Sequence, residues 1–277
     1  MTTTAPLRLA VNLSILFTEL PLLERPRAAK DAGFDTVEFW WPFSEAVPAS
    51  KDADAFVRAL DDAGVDLVGL NFFAGDMPGG ERGLVSWPAR SEEFRDSVLV
   101  LTDIARRTGC RAFNALYGQR LDGVAPHEQD RVALENLVYA ANAVSSVNGT
   151  VLIEPLARGQ NGAYPLETAE DATAVIDRAR NDRSVTNLAL LLDAYHLASN
   201  DEDLIRVVKD HAGRIGHVQL ADAPGRNQPG TGEIDFAALF TALREHDYGG
   251  YVACEYKPAG ASVETFEWIN QFEEVSQ

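Results

Sequence analysis

Four polar residues each close a short apolar run, in Leu152-Ile153-Glu154, Leu191-Leu192-Asp193, Val218-Gln219 and Ala253-Cys254-Glu255. A carboxylate after an apolar strand costs free energy unless it is paired or bound to a cation. One such residue reads as a buried salt bridge. Four at equivalent positions point to a metal site or an acid–base site, with structural hydrogen bonding as the alternative. The donor set is hard, carboxylate and amide oxygens without thiolate, which favours Mg²⁺ or Mn²⁺ over Zn²⁺. Cys254 neighbours Glu255, but strand alternation sends it to the opposite side, into the core. His196 follows Asp193 by three residues and can reach back over the strand end, or it satisfies a loop carbonyl. His217 alternates with Gln219, so both can face the interior, with His217 a layer deeper as a satisfied core residue. Positive charge for an anionic substrate is available from Arg82, Arg226 and Lys257. Each alone reads as solvated; together they offset the acids, and an arginine fork suits a carboxylate.

The elements that must carry these residues follow from hydropathy period. Apolar runs at 7–12, 36–39, 66–71, 111–114, 150–154, 188–193, 216–219 and 251–255 lack polar alternation, as parallel strands buried on both faces do. Stretches of helical period at 20–32, 52–63, 91–108, 128–147, 166–180, 201–211, 236–246 and 263–273 alternate with them and supply the crossovers that parallel strands require. Gly33, Gly64 and Gly109 stand where left-handed C-caps belong, and Asp235 where an N-cap belongs. Eight strands alternating with eight helices predict a single (β/α)8 TIM barrel over residues 1–277. In that fold the strand C-termini converge on one catalytic face. A doubly wound open sheet is the rival, but Leu13-Ser14-Ile15-Leu16 after the first strand is not a glycine-rich phosphate turn. The loop at 72–90 is long, with four glycines and two aromatic residues between Phe72 and Gly83, and reads as an active-site lid. Trp40, Trp41 and Phe43 read equally as an apolar contact patch of a homo-oligomer or as lid or pocket wall.

The chain has 277 residues and a formal charge of −18, a field that repels nucleic acid and anionic membranes. No apolar run approaches the roughly 18 residues of a membrane span. Residues 1–6 have no basic start followed by an apolar core, so no signal peptide is expected. Two cysteines, Cys110 and Cys254, suit a reducing, cytoplasmic setting rather than a disulfide scaffold.

Several segments in order resemble the hydroxypyruvate isomerases. They are Asn12-Leu13-Ser14-Ile15-Leu16-Phe17-Thr18-Glu19, Val37-Glu38-Phe39, Gly80-Glu81-Arg82-Gly83, Ile153-Glu154-Pro155-Leu156, Asp193-Ala194-Tyr195-His196, His217-Val218-Gln219, Pro229-Gly230-Thr231-Gly232-Glu233 and Cys254-Glu255-Tyr256-Lys257-Pro258. The resemblance runs from near residue 8 to near residue 258. It implies a TIM barrel of the xylose isomerase-like superfamily that interconverts hydroxypyruvate and tartronate semialdehyde, a small anionic hydroxy-carbonyl pair. It implies Glu154 and Glu255 as the acid–base pair, Glu154, Asp193, Gln219 and Glu255 as ligands of a divalent metal, and His196 as a substrate contact. Gln219 stands where related sugar epimerases have histidine. An isomerase acting on 2-oxo-tetronate, a ketose 3-epimerase and a non-catalytic sugar-binding barrel are the alternatives. An abasic-site endonuclease of the same superfamily would need more histidines than five and a basic face.

Overall fold

The computed structural model describes residues 6–272 and the strand Val275–Ser276. Among these, strands β1 (Leu7–Asn12), β2 (Thr36–Phe39), β3 (Asp66–Asn71), β4 (Ala112–Asn114), β5 (Thr150–Ile153), β6 (Leu188–Asp193), β7 (Ile215–Leu220) and β8 (Tyr251–Cys254) run parallel in sequence order. β1 pairs with both β2 and β8, so the sheet closes on itself into a TIM barrel. The short strand β9 (Val275–Ser276) pairs with the start of β1. Around the barrel lie α1 (Arg25–Asp31), α2 (Ser50–Ala63), α3 (Ser91–Thr108), α4 (Pro126–Ser145), α5 (Ala169–Arg183), α6 (Ala194–Ser199), α7 (Leu204–His211) and α8 (Phe236–Glu245).

The strands form because their apolar side chains are buried on both faces, one toward the barrel interior and one toward the helices. Val11, Val37, Leu190, Leu192, Val218 and Val252 are all fully buried. The helices turn one apolar stripe inward; in α2 it is Ala53, Phe56, Val57, Leu60 and Ala63. Their ends follow the expected caps. Gly64 and Gly109 are left-handed after α2 and α3, and the Asp235 carboxylate accepts the Ala238 N–H at the start of α8.

Three expectations change. The first helix is shorter than 20–32: a 3-10 turn at Leu22–Glu24 precedes α1, where the sequence places Pro21 and Pro26. A short helix, α6, follows β6 directly and was not expected as a separate element; Asp193 caps it, accepting the His196 N–H. The helix expected at 263–273 is instead two 3-10 segments, Ser262–Thr265 and Glu267–Gln271, and Glu273 lies outside the described residues. The buried residues there are Ser262, Thr265, Phe266, Trp268 and Ile269.

The loop at 72–90 packs over the C-terminal face. Glu81 accepts from Arg90 Nη1 with both carboxylate oxygens at 2.9 Å and from the Asp76 N–H at 2.6 Å. Gln119, after β4, bonds the loop at the Arg82 N–H and the Gly80 carbonyl. At Gly83 (φ 104°) a Cβ would lie 1.9 Å from the Leu116 carbonyl oxygen, so only glycine fits this close approach.

Candidate active site

A cavity of about 830 Å³ opens at the C-terminal ends of the strands. Glu154, His196, Arg226 and Glu255 lie on its floor side, with Trp40, Trp41, Phe43 and Phe73 along one wall and Arg82 in the overlying loop. Trp41 packs edge-on against Phe43 and Phe73. The aromatic trio Trp40, Trp41 and Phe43 is thus cavity wall.

Barrel closure brings the strand-end polar groups together. Glu154 follows β5 and is buried; Asn114 Nδ2 donates to its Oε2 at 2.6 Å. Burial and then the neighbouring Asp193 push its carboxyl up to about 8, while Asn114 and Arg226 pull the other way. Asp193 is raised to about 6, by burial first, with Arg226 and the His196 N–H opposing. Glu255 is also pushed well above the ordinary carboxylate range by burial, against the pull of Arg226. Its oxygens receive Arg226 Nη2 at 2.7 Å, Asn12 Nδ2 at 3.2 Å and Trp40 Nε1 at 3.3 Å.

Arg226 is the central cation. Besides Glu255 it lies 3.9 Å from Asp193 Oδ2, and its guanidinium sits over the Tyr195 ring. These carboxylates hold it more firmly charged than free arginine, although burial works against the charge. The loop after β7 sets it there. The buried Asp222 carboxylate accepts the N–H groups of Ala223, Gly230, Gly232 and Ile234. The Arg226 backbone is left-handed at φ 61° and is held by bonds to Asp222 and Lys257. A Cβ on Gly232 would meet the Ala223 carbonyl oxygen at 2.4 Å and Asp222 Oδ1 at 2.6 Å.

His196 presents a definite tautomer. The Ala157 N–H donates to Nδ1 at 3.0 Å, so the proton of the neutral ring is on Nε2. Burial, Arg226 and Arg82 keep the ring neutral by lowering its pKa well below the ordinary value. Nε2 lies 3.9 Å from both Glu154 Oε1 and Asp193 Oδ2. The ligand atoms of Glu154, Asp193 and His196 lie within 4.8 Å of one another, close enough for one cation. With its Nε2 protonated, His196 faces that point as a donor, and the carboxylates are the anionic ligands.

The donor chemistry fits a divalent cation. Asp193 and Gln219 are Cα partners across β6 and β7, and Asp193 Oδ2 and Gln219 Oε1 are both buried without a hydrogen-bond partner. Buried oxygens left unmatched are costly. Three buried carboxyls, Glu154, Asp193 and Glu255, gather around Arg226; a divalent ion would favour their ionised forms beyond what one guanidinium does.

Of the remaining predicted residues, Arg82 reaches the cavity and is braced by Asn161 Oδ1 at 3.1 Å and by the carbonyls of Met77 and Glu81. Lys257 is exposed and outside the cavity wall. Sequence reasoning gave no role to Glu38, Asn12, Asn114 and Asp222. Asn12, Glu38 and Asn114 close or nearly close the apolar runs of β1, β2 and β4, the same signal that marked the later strands. Cys110 and Cys254 are buried free thiols, and burial pushes Cys110 up to about 12. Among the described residues no helix is long and apolar enough to cross a membrane.

The Xylose isomerase-like TIM barrel family model matches residues 26–272. A Streptomyces coelicolor protein named "Putative hydroxypyruvate isomerase" is 49% identical over 95% of both chains. The hydroxypyruvate isomerase of Escherichia coli is 34% identical over 96% of this chain and 99% of its own. Among solved structures, one titled AP endonuclease, family 2, from Brucella melitensis superposes with a TM-score of 0.86 at 34% identity, covering 96% of this chain and 99% of that one.

Proposed function

The chain belongs to the hydroxypyruvate isomerase family of the xylose isomerase-like TIM barrels, and we propose on that premise that it interconverts hydroxypyruvate and tartronate semialdehyde through an enediolate. The observation that carries the reading is the pair Glu154 and Glu255. Both are buried, both border one cavity, and burial raises both above the ordinary carboxylate range, Glu154 to about 8. A carboxyl poised there can take a proton and return it.

Glu154, Asp193, Gln219 and Glu255 would hold the divalent ion, Mg²⁺ or Mn²⁺ on their all-oxygen character. When bound, the ion supplies Lewis-acid polarisation of the substrate's carbonyl and hydroxyl oxygens. The chain's own groups do the rest. One glutamate removes a proton from the hydroxyl-bearing carbon. The hydroxyl proton passes to the former carbonyl oxygen, and a glutamate returns a proton to the former carbonyl carbon. Arg226 stabilises the ionised form of Glu255 and the developing negative charge. The Nε2–H of His196 donates toward a substrate oxygen. Arg82 is placed for the substrate carboxylate, with Lys257 farther out. The loop at 72–90 acts as a lid that keeps the enediolate from water.

The endonuclease title of the Brucella structure does not transfer. A charge of −18 opposes DNA binding, and the site is made of carboxylates rather than a histidine-rich cluster. The cavity is spacious for a three-carbon acid, which favours a four-carbon 2-oxo-tetronate as the second substrate reading.

Proton NMR of the protein with hydroxypyruvate in D2O tests the proposal. Formation of tartronate semialdehyde with solvent deuterium on carbon is expected. Unchanged hydroxypyruvate alongside turnover of 2-oxo-tetronate would move the assignment to the four-carbon acid.

A further inference from the structure

Glu38 stands on β2, inside the barrel and below the ligand cradle, and is 3% exposed. Its carboxylate receives three side chains from two other strands. Gln219 Nε2 donates to Oε1 at 2.7 Å, and Asn12 Nδ2 donates to the same oxygen at 2.8 Å. His217 Nε2 meets Oε2 at 2.6 Å. The Asn12 amide continues to Glu255 Oε2. Glu38 thus lies at the hub of a buried network and does not line the active-site cavity.

An amide has a donor end and an acceptor end, and only the acceptor can ligate a cation. Gln219 could present either. Were it turned over, Oε1 would face Glu38 Oε1 at hydrogen-bond distance, lone pair against lone pair. That arrangement forfeits a charge-assisted bond in a medium of low dielectric. The orientation with Nε2 on Glu38 leaves Oε1 free, and Oε1 is the buried oxygen that has no partner. Asn12 is also held by its nitrogen, and its Oδ1 accepts the Ser14 N–H.

We propose that Glu38 is the positioning residue that turns the carbonyl oxygen of Gln219, and not its nitrogen, toward the cation cradle. This rests on the reading of Gln219 as a ligand. Where a histidine ligand presents its lone pair through choice of tautomer, a glutamine must be oriented by an acceptor behind it. Glu38 is that acceptor.

The test is Mn²⁺ binding to the chelator-treated full chain, by calorimetry or water-proton relaxation. Glu38→Gln replaces an obligate acceptor with a group that also donates, so Gln219 loses its fixed orientation. Mn²⁺ affinity is expected to fall about 10- to 100-fold, as for removal of other partners behind metal ligands, with circular dichroism retained. The exchanged pair, Glu38→Gln with Gln219→Glu, restores an amide donating to a carboxylate and leaves a carboxylate oxygen toward the cradle; most of the lost affinity is expected to return. Unchanged affinity in Glu38→Gln, or no recovery in the exchanged pair, overturns the proposal. A wild-type chain that binds no Mn²⁺ overturns the ligand reading itself and this role with it, and that failure is recognised before any variant is made. If Glu38→Gln does not fold, a crystal structure of the wild type with Mn²⁺ decides: the Gln219 amide on the cation supports the role, and the amide off it overturns it.

Discussion

Asp193 and Gln219 face each other as Cα partners across β6 and β7, and each keeps one buried oxygen without a hydrogen-bond partner. The other half of each side chain is committed. Asp193 Oδ1 caps α6 through the His196 N–H, and Gln219 Nε2 is bonded to Glu38. Two side chains anchored at one end and open at the other converge near Glu154 and Arg226, an arrangement that a cation completes.

Chelation should therefore remove turnover, and Mg²⁺ or Mn²⁺ should restore it. Because the ion binds the folded chain, it should also raise the melting temperature. At a hundredfold excess over Kd the gain is about 2.7 kcal/mol, or roughly 5–10 °C for a chain of this size. Scanning calorimetry with and without the ion measures it; equal melting curves would mean that nothing binds.

Glu154→Gln and Glu255→Gln should each lower kcat by about 10²–10⁴-fold, the usual worth of a positioned acid or base. Deuterium uptake from D2O should fall in parallel. Glu255→Gln retaining most of the isomerase activity with unchanged KM would sink the acid–base assignment.

The chelated protein should lose stability as pH rises. The folded Glu154 carboxyl is raised to about 8, whereas in the unfolded chain it titrates near about 4.3. Between these values the folded state holds a proton that the unfolded state has released, so the slope of stability with pH is negative. A drop in melting temperature of at least about 2–4 °C between pH 5.5 and pH 8, corresponding to ~1 kcal/mol, is expected. The drop should shrink in Glu154→Gln. Stability that climbs over this range would contradict the buried, proton-holding carboxyl.

Arg226→Met should leave Glu255 and Asp193 without their guanidinium and cost about 3–5 kcal/mol in the ion-free protein, the penalty for breaking a buried pair. Denaturant titration reads it directly. A loss under ~1 kcal/mol would place the pair in solvent instead.

Asp222→Asn removes an acceptor from the carboxylate that gathers the Ala223, Gly230, Gly232 and Ile234 N–H groups. Arg226 rides on that loop. A displacement near 1 Å is worth up to about 10²-fold in rate, so kcat should fall substantially although Asp222 touches no substrate. Full activity would show that the loop holds Arg226 by other means.

Much of this was legible in the residues. The apolar runs and helical periods placed the barrel strands to within a residue or so, because burial on both faces of a parallel strand leaves a local hydropathy signal. Glu154, Asp193, Gln219 and Glu255 were legible for the same reason: a polar residue ending an apolar run is conspicuous. The 3-10 segments at Ser262–Thr265 and Glu267–Gln271 were misread as α-helix, because the spacing of buried residues there suits either helix, and Phe266 between the segments is fixed by distant rings, Phe17, Phe34 and Tyr256, that no local pattern announces.

What belongs to the tertiary structure is pairing across the barrel. Glu38 and Gln219 are 181 residues apart, and Asn12 and Glu255 are 243. No local pattern tells which end of an amide a distant carboxylate will hold. Sequence likewise offered Arg82, Arg226 and Lys257 as equals, and only folding separated them, burying Arg226 among carboxylates, bracing Arg82 over the cavity and leaving Lys257 in solvent. Hydropathy is a property of neighbours along the chain and writes the elements into the sequence. Hydrogen bonding and charge compensation are properties of neighbours in space, and they exist only once the eighth strand has closed on the first.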